Sequence, residues 1–151
     1  REHSSALNQL AGEPPAVLRS PGEIVDDFTA STANGEPVGR DRLDAPTIVG
    51  FLSPTCGPCR EQLPAFVARA GQAPSGRTLA VVVGSGPAAD DLATELADRL
   101  GDGSVVQEPP GGPVATAFGV DGYPAFALVG PGGRIEAGGF DLATIPVLVA
   151  A

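Results

Sequence analysis

The feature that most constrains this chain is a pair of cysteines, Cys56 and Cys59, separated only by a glycine and a proline. They are the only two cysteines among 151 residues. A structural disulfide stabilises a fold mainly by closing a long loop in the unfolded chain, and this pair would close almost none. Tetrahedral zinc is disfavoured, because there is no second cysteine pair and the single histidine, His3, lies in a predicted tail. The spacing therefore indicates a redox pair, and we expect neither a metal nor a cofactor.

The residues around the pair predict a strand before it and a helix after it. Residues 47–52 are a continuous apolar run, typical of a strand buried on both faces. Beyond the pair, apolar residues recur at helical spacing, with Pro64 as a predicted kink. Cys56 would then lie at a helix N-terminus, where free backbone N–H groups and the helix dipole stabilise a thiolate. Cys59, one turn further on, could reach Cys56 while being less exposed.

This arrangement favours thiol–disulfide exchange. The Cys56 thiolate would attack a substrate disulfide and form a mixed disulfide with it. Cys59 would then attack Cys56, which releases the reduced substrate and leaves an internal disulfide. The same steps in reverse would oxidise a substrate dithiol.

The remaining pattern predicts one domain at residues 23–151, preceded by a tail or linker at residues 1–22. We expect two short strands between Ile24 and Arg40, with Asn34-Gly35 at their turn. Residues 78–83 predict a second buried strand, and residues 88–100, between Pro87 and Gly101, predict a helix. Strands and helices alternate in this way until a C-terminal hairpin, and a last helix is predicted from Asp141 through Val149. The predicted fold class is α/β, with a central mixed sheet, helices on both faces and an N-terminal β-hairpin.

The charge excludes some classes of partner. With 18 acidic and 9 basic residues the formal charge is -9, which disfavours nucleic acid and anionic membrane surfaces. No run of residues is long and apolar enough to span a bilayer. Because the chain begins at Arg1 and has no methionine, we expect that a signal peptide, a membrane anchor or a tag was removed. We also expect a monomer.

Several segments together resemble the thioredoxin superfamily, in its TlpA/ResA-like branch. Cys56-Gly57-Pro58-Cys59 at a strand-to-helix junction is similar to the superfamily's redox motif. Gly122-Tyr123-Pro124-Ala125-Phe126 resembles its cis-proline segment. The run from Asp26-Asp27-Phe28 to Asn34-Gly35 resembles the branch's N-terminal hairpin. The branch's long strand-helix insert is similar to residues 87–107, and a further similar segment is Phe118-Gly119-Val120.

The resemblance, which covers about residues 24–150, implies a function and a set of site residues. Members of this branch are bacterial extracytoplasmic thiol-disulfide oxidoreductases, usually membrane-tethered or exported, that act on protein thiols or disulfides and depend on an upstream redox partner. Cys56 would be the nucleophile and Cys59 the resolving thiol. Pro124 would be the cis-proline that flanks the disulfide. The substrate-binding residues would be Tyr123 and Pro124 with Thr55, Gly57 and Pro58.

The sequence departs from the family pattern at three positions. Thr55 stands where these relatives usually have tryptophan, and Gly50 stands where thioredoxins bury an acidic residue. Gln62 replaces a glutamate that ResA-like members often carry. The usual carboxylates that would deprotonate Cys59 are therefore absent, and Glu61 and Glu108 are candidate substitutes.

Two alternatives to a reductase-type exchange enzyme stay open at this point. One is a non-catalytic thioredoxin-fold interaction module, and the other is a thiol peroxidase, because Pro54-Thr55-Cys56 resembles the end of the peroxiredoxin motif. Gly84-Ser85-Gly86-Pro87-Ala88-Ala89 matches a dinucleotide-binding pattern, but Pro87 removes an N–H that would hold phosphate. Papain-like catalysis is disfavoured, because His3 is the only histidine.

Overall fold

A computed structural model describes residues 17–149, which contain seven strands and three α-helices. The strands are β1 (Thr29–Ser31), β2 (Pro37–Gly39), β3 (Thr47–Leu52), β4 (Thr78–Val83), β5 (Ser104–Glu108), β6 (Ala125–Gly130) and β7 (Arg134–Gly139). The helices are α1 (Gly57–Gln72), α2 (Pro87–Arg99) and α3 (Pro113–Phe118). Three short 3-10 turns lie at Arg40–Arg42, Pro131–Gly133 and Leu142–Thr144.

The central sheet has five strands in the order β5-β4-β3-β6-β7. Strands β3, β4 and β5 are parallel, whereas β6 runs antiparallel to β3 and β7 antiparallel to β6. Every residue of β3 and of β4 is buried, as their continuous apolar runs predict for strands covered on both faces. The predicted mixed α/β sheet is confirmed.

The two faces of the sheet carry different layers. On one face, Ile48 and Leu52 of β3 pack with the buried sides of α1 and α2. On the other face, Val49 and Phe51 pack with α3 and with the N-terminal hairpin. The Phe51 ring meets the ring of Phe118 edge to face at 5.1 Å between centroids. Because side chains alternate along a strand, one strand anchors both layers, and the predicted helices on both faces are confirmed.

The N-terminal hairpin forms, but its first strand begins later than predicted. Thr29 pairs with Gly39, whereas Ile24 makes only an isolated bridge to Arg134. The hairpin docks on the edge of the main sheet through the backbone N–H of Ala33, which donates to the Val105 carbonyl over 2.8 Å. The edge strand β5 thus accepts a backbone hydrogen bond from the turn of the hairpin, which the short strands β1 and β2 do not pair themselves.

Part of the predicted linker packs against the domain. Residues 1–16, and residues 150–151 at the other end, lie outside the described residues. Leu18 is buried, and the N–H of Arg19 donates to the carbonyl of Phe118 over 3.0 Å. The Arg19 side chain also donates to the carbonyl of Ala117. The packed part of the chain therefore starts no later than residue 17.

The predicted C-terminal helix through Val149 is wrong. Asp141 does cap a turn, since its side chain accepts from the N–H of Ala143, but the turn is a 3-10 helix of three residues. Pro146 has no N–H and disfavours helical dihedrals at Ile145, so the helix cannot continue. Arg69 instead satisfies the freed carbonyls of this segment, those of Leu142, Ile145 and Pro146.

Among residues 17–149, no helix is both long enough and apolar enough to cross a membrane.

Candidate active site

The two cysteines lie at the junction between β3 and α1. Cys56 is the N-cap residue of α1 and has extended backbone dihedrals, and Pro58 occupies the first turn. Proline is favoured there because its missing N–H would have no helical partner. Cys56 and Cys59 form a disulfide with 5.2 Å between their Cα atoms. The bridge thus joins the helix cap to a residue within the first turn of the same helix.

The two sulfur atoms differ in their access to solvent. Cys56 is partly exposed, and the uncharged residues around it, Thr55, Gly57 and Pro58, are exposed. Cys59 is only 3% exposed and belongs to the core between the sheet and helices α1 and α2. Of the two cysteines, Cys56 is therefore the one that a large partner can approach.

Backbone N–H groups point at both sulfur atoms. The N–H of Cys59 donates to Cys56 Sγ over 3.1 Å, and the N–H of Ser53 donates to Cys59 Sγ over 3.4 Å. The N–H of Cys56 in turn donates to the Ser53 carbonyl and fixes the loop. Such donors and the positive end of the α1 dipole stabilise negative charge on sulfur. Reduction of the bridge would therefore leave each thiolate with a hydrogen-bond donor.

Pro124 lies at the same end of the sheet as the cysteines. The Tyr123–Pro124 peptide bond is cis, and Pro124 is buried. Ala125, the next residue, pairs with Phe51 near the carboxyl end of β3. The loop that carries Cys56 begins at that end of β3, so the cis-proline segment and the disulfide lie at the same end of the sheet.

Tyr123 is half-buried at the same end of the sheet. It packs against both core clusters, one of which also borders Cys56. Burial raises the pKa of Tyr123 above its usual value, and the nearby negative charge of Glu108 raises this pKa further. The phenol therefore stays neutral at physiological pH and can act as a hydrogen-bond donor.

Glu108, one of the two candidate proton acceptors, is engaged in holding a helix. Its side chain is 4% exposed and accepts the N–H of Val114 over 3.1 Å and of Ala115 over 2.9 Å. These are free donors at the start of α3. The other candidate, Glu61, is exposed. Among residues 17–149, neither carboxylate has a hydrogen bond to sulfur.

The position of the missing buried acid, Gly50, is filled by an aromatic ring. A Cβ at Gly50 would lie 2.7 Å from Cε1 of Phe66 on α1. That separation is shorter than a van der Waals contact. A side chain of any kind at this position would displace the ring, so the structure has no room for the acidic residue.

Gln62 joins α1 to the chain that follows β7. Its Nε2 donates to the carbonyl of Phe140 over 2.9 Å, and its Oε1 accepts the N–H of Leu142 over 2.8 Å. A glutamate could accept but could not donate. The amide at this position therefore has a structural use that a carboxylate could not fulfil.

The glycine-rich loop that matches a dinucleotide pattern packs on the cysteine loop. A Cβ at Gly84 would lie 3.1 Å from Cδ of Pro54, and Gly84 has a φ of +154°. Gly86 has a φ of +92°, and Pro87 begins α2 directly after it. Glycine is needed here for a tight strand-to-helix turn.

No cluster of three or more metal-binding side chains occurs within residues 17–149.

Sequence reasoning missed three functional contacts near the site. The sequence singled out Gln62 and Glu108 without their hydrogen bonds, and it gave no signal for Ser53. One clue was available for Glu108, because it precedes Pro113, a residue typical of the first turn of a helix, by only a few positions. The contacts of Gln62 join residues about 80 positions apart, and only the tertiary structure reveals them.

The fold is similar to those of several solved bacterial proteins. One is the thioredoxin domain of a thiol-disulfide oxidoreductase from Bacteroides vulgatus, with a TM-score of 0.62, 19% identity, and 80% of this chain and 88% of that chain covered. Another is a secreted disulfide oxidoreductase of Mycobacterium tuberculosis, with a TM-score of 0.59, 18% identity, and 82% and 87% covered. A third is an exposed lipoprotein thioredoxin of Streptococcus pneumoniae, with a TM-score of 0.58, 20% identity, and 77% and 90% covered.

No protein-family model matches the sequence. A search of curated proteins by sequence also finds no match. At identities near 20% the structural neighbours show the fold alone. The chain therefore has the thioredoxin fold, as the redox motif and the cis-proline segment predicted.

Proposed function

We propose that this protein is a thiol-disulfide oxidoreductase that exchanges disulfides with protein substrates through Cys56 and Cys59. The observation that carries the proposal is the unequal pair at the start of α1. Cys56 is accessible and caps the helix, whereas Cys59 is buried within bonding reach of it. An attacking thiol must be reachable, and a resolving thiol must be held close and protected from other partners.

The exchange has two balanced steps. In the first, the Cys56 thiolate forms a bond to one substrate sulfur, and the substrate disulfide breaks and releases its other sulfur as a thiolate. In the second, Cys59 loses its proton and attacks Cys56, and the mixed disulfide breaks. The substrate gains two electrons and takes up two protons, and the protein is left with its internal disulfide.

The N–H of Ser53 supports the second step without a buried acid. It donates to Cys59 Sγ, so negative charge that develops on this sulfur has a partner. Solvent would take the proton, because Glu108 is engaged by two amides and no side chain fits at Gly50. We expect this enzyme to resolve mixed disulfides more slowly at neutral pH than one with a dedicated carboxylate.

The substrate-binding roles of the surrounding residues belong to the same proposal. Thr55, Gly57 and Pro58 form the exposed, uncharged rim of Cys56. Pro124 presents no N–H, and Tyr123 offers a neutral phenol. Substitution of Tyr123 by alanine should raise KM for a protein disulfide more than it lowers kcat, whereas an unchanged KM would remove Tyr123 from the binding surface.

The direction of exchange is proposed to be reductive. A glycine and a proline between the cysteines are typical of reducing thioredoxins. Equilibration with thiol buffers gives the reduction potential of the Cys56–Cys59 couple. A value near about -270 mV supports a reductase, and a value near about -120 mV would identify an oxidant instead.

We further propose that the protein acts outside the cytoplasm, as a monomer, and receives electrons from an upstream redox partner. The support is that two of the similar structures are described as a secreted and an exposed protein. Fractionation of cells that express the native gene tests this, since recovery in the cytoplasm alone would contradict it.

A non-catalytic interaction module is the second candidate. It is favoured by one observation, the absence of an available carboxylate beside the sulfurs in the described part of the chain. Turnover separates the two functions. An enzyme catalyses many rounds of reduction of a protein disulfide by an external dithiol, and a module whose disulfide is only a local clip reacts at most once.

A further inference from the structure

The glycine-rich loop between β4 and α2, residues 84–86, has no role in the proposed function so far, although it touches the loop that carries Cys56. A Cβ at Gly84 would lie 3.1 Å from Cδ and 3.2 Å from Cγ of Pro54. Both separations are shorter than the roughly 3.5–4.0 Å at which two carbon atoms pack best. Glycine at residue 84 therefore lets Pro54 lie closer to the end of β4 than any residue with a side chain would allow.

Pro54 is bonded to Ser53, whose backbone contacts both cysteines. The N–H of Ser53 donates to Cys59 Sγ over 3.4 Å, and the Ser53 carbonyl accepts the N–H of Cys56 over 3.3 Å. The Cδ atom of a proline is bonded to its own backbone nitrogen, so the ring cannot move aside without the backbone. A displacement of Pro54 would therefore change the position of Ser53 relative to both cysteines.

The other side of this contact is held in place. The N–H of Gly84 donates to the carbonyl of Glu108, at the end of β5, over 2.8 Å. Glu108 is itself buried, and its carboxylate accepts two N–H groups at the start of α3. A Cβ at Gly84 would also lie 3.6 Å from the Cβ of Ala89, a fully buried residue of α2. A side chain at residue 84 would therefore be accommodated by movement of the half-buried Pro54.

We propose that Gly84 is a positioning residue of the exchange site, because its missing side chain lets Pro54 hold Ser53 where the Ser53 N–H reaches Cys59. The inference rests on the proposed function, since it concerns the same two cysteines. A backbone N–H stabilises a thiolate more than a disulfide sulfur, because only the thiolate carries a full negative charge. The contact between Gly84 and Pro54 therefore favours the reduced pair and assists the attack of Cys59 on a mixed disulfide.

The test substitutes two glycines of the same loop in turn. Gly84→Ala places a methyl group against Pro54, whereas a Cβ at Gly86 has nothing within 4 Å. Gly84 has a φ of +154° and Gly86 a φ of +92°, so alanine strains the backbone in both variants. The variants differ in whether the methyl group meets the cysteine loop. Each protein is equilibrated with mixtures of reduced and oxidised glutathione, and the fraction that holds the disulfide is measured.

We expect the equilibrium in Gly84→Ala to shift towards the disulfide by about tenfold, which is a fall of about 30 mV in the reduction potential. Gly86→Ala should stay within about twofold of wild type, because a site that does not touch the cysteine loop acts independently of it. An unchanged equilibrium in Gly84→Ala, or an equal shift in both variants, would overturn the inference.

A substitution on the other side of the contact keeps the inference testable if Gly84→Ala does not fold. Pro54→Ala removes Cγ and Cδ, the two atoms that the added methyl group would meet. Alone, it frees the loop and should also shift the equilibrium towards the disulfide, and an unchanged equilibrium would contradict the inference. In the Pro54→Ala background, Gly84→Ala should cause a smaller shift than it causes alone. Equal shifts in the two backgrounds would show that the two residues act independently.

A pH profile separates positioning from a general loss of stability. When the reduced protein reacts with a small aromatic disulfide, attack by Cys56 releases one aromatic thiolate and attack by Cys59 releases the second. The pH midpoint of the second phase reports the deprotonation of Cys59. This midpoint should be higher in Gly84→Ala than in wild type and unchanged in Gly86→Ala, and one midpoint for all three proteins would contradict the inference. Neither measurement uses a protein substrate, so the proposed function fails separately, if the wild-type protein does not turn over protein disulfides.

Discussion

The ring of Phe66 occupies the space that a side chain at Gly50 would need, with Cε1 of the ring 2.7 Å from the Cβ position of Gly50. Gly50 lies in β3, six residues before Cys56, and Phe66 lies on the buried side of α1. The same ring packs against Phe126 at 5.8 Å between centroids. The absence of an acid beneath the disulfide is thus a property of the packed core and not only of one residue.

Replacement of Gly50 by alanine should destabilise the protein. The added methyl group would force Phe66 out of its position, and overpacking of a core typically costs about 1–3 kcal/mol. The change also removes the cost of a glycine within a strand, which is roughly 0.5–1 kcal/mol relative to alanine and offsets part of the overpacking cost. We expect a net loss of about 1–2 kcal/mol in the free energy of unfolding, measured in urea.

A double variant checks the cause of that loss. Shortening the ring in Phe66→Leu makes room, so Gly50→Ala should cost less in the Phe66→Leu background than alone. Equal costs in the two backgrounds would show that the two positions do not compete for space.

Removal of the Glu108 carboxylate should be one of the more costly single changes. In Glu108→Ala, the buried N–H groups of Val114 and Ala115 lose their acceptor, at about 1–3 kcal/mol for each group left unpaired. We expect a loss of about 3 kcal/mol in unfolding free energy, and about half of it in Glu108→Gln, which keeps one oxygen. Glu61→Ala is the matched control on an exposed glutamate and should stay within about 0.5 kcal/mol of wild type. A comparable loss in both alanine variants would disprove the capping role.

Tyr123 should make stability fall at alkaline pH. Burial and the charge of Glu108 raise the pKa of Tyr123 above the ordinary tyrosine value of 10.0. The folded state therefore favours the neutral phenol, and the stability this provides is present below about pH 10 and is lost as pH rises through the folded pKa. Tyr123→Phe should remove this part of the pH dependence.

The titration can be followed directly, because Tyr123 is the only tyrosine and the chain has no tryptophan. Phenolate absorbance in the native protein should show a midpoint above 10.0, and Glu108→Gln should lower it. A wild-type midpoint at or below 10.0 would mean that the phenol is not buried as the structure shows.

Much of the fold could be predicted because it depends on local patterns. The apolar runs at residues 47–52 and 78–83 predicted strands β3 and β4 with their observed bounds. Helical spacing after Cys59, and Pro87 with the later glycine, predicted α1 and α2. In each case the period of burial and the residues that stop an element lie within the segment itself.

The parts that could not be predicted depend on distant partners. Pro146 stops the C-terminal helix locally, but the non-helical path that the segment takes instead depends on Arg69, more than 70 positions away, which donates to its carbonyls. The role of Gln62 depends on Phe140, and that of Glu108 on the start of α3. The spacing of the cysteines predicted the chemistry of the site, whereas its proton transfer and its binding surface depend on these tertiary contacts.

The central claim, that Cys56 attacks and Cys59 resolves, is tested most directly by trapping the mixed disulfide. A substrate protein with one accessible disulfide is incubated with the pre-reduced wild-type protein and with the pre-reduced variants Cys56→Ser and Cys59→Ser, and the mixtures are analysed on non-reducing gels. We predict that Cys59→Ser accumulates a covalent complex that dithiothreitol dissolves, that wild type accumulates none while it reduces the substrate, and that Cys56→Ser does neither. A complex formed by Cys56→Ser, or reduction of the substrate by that variant, would contradict the account.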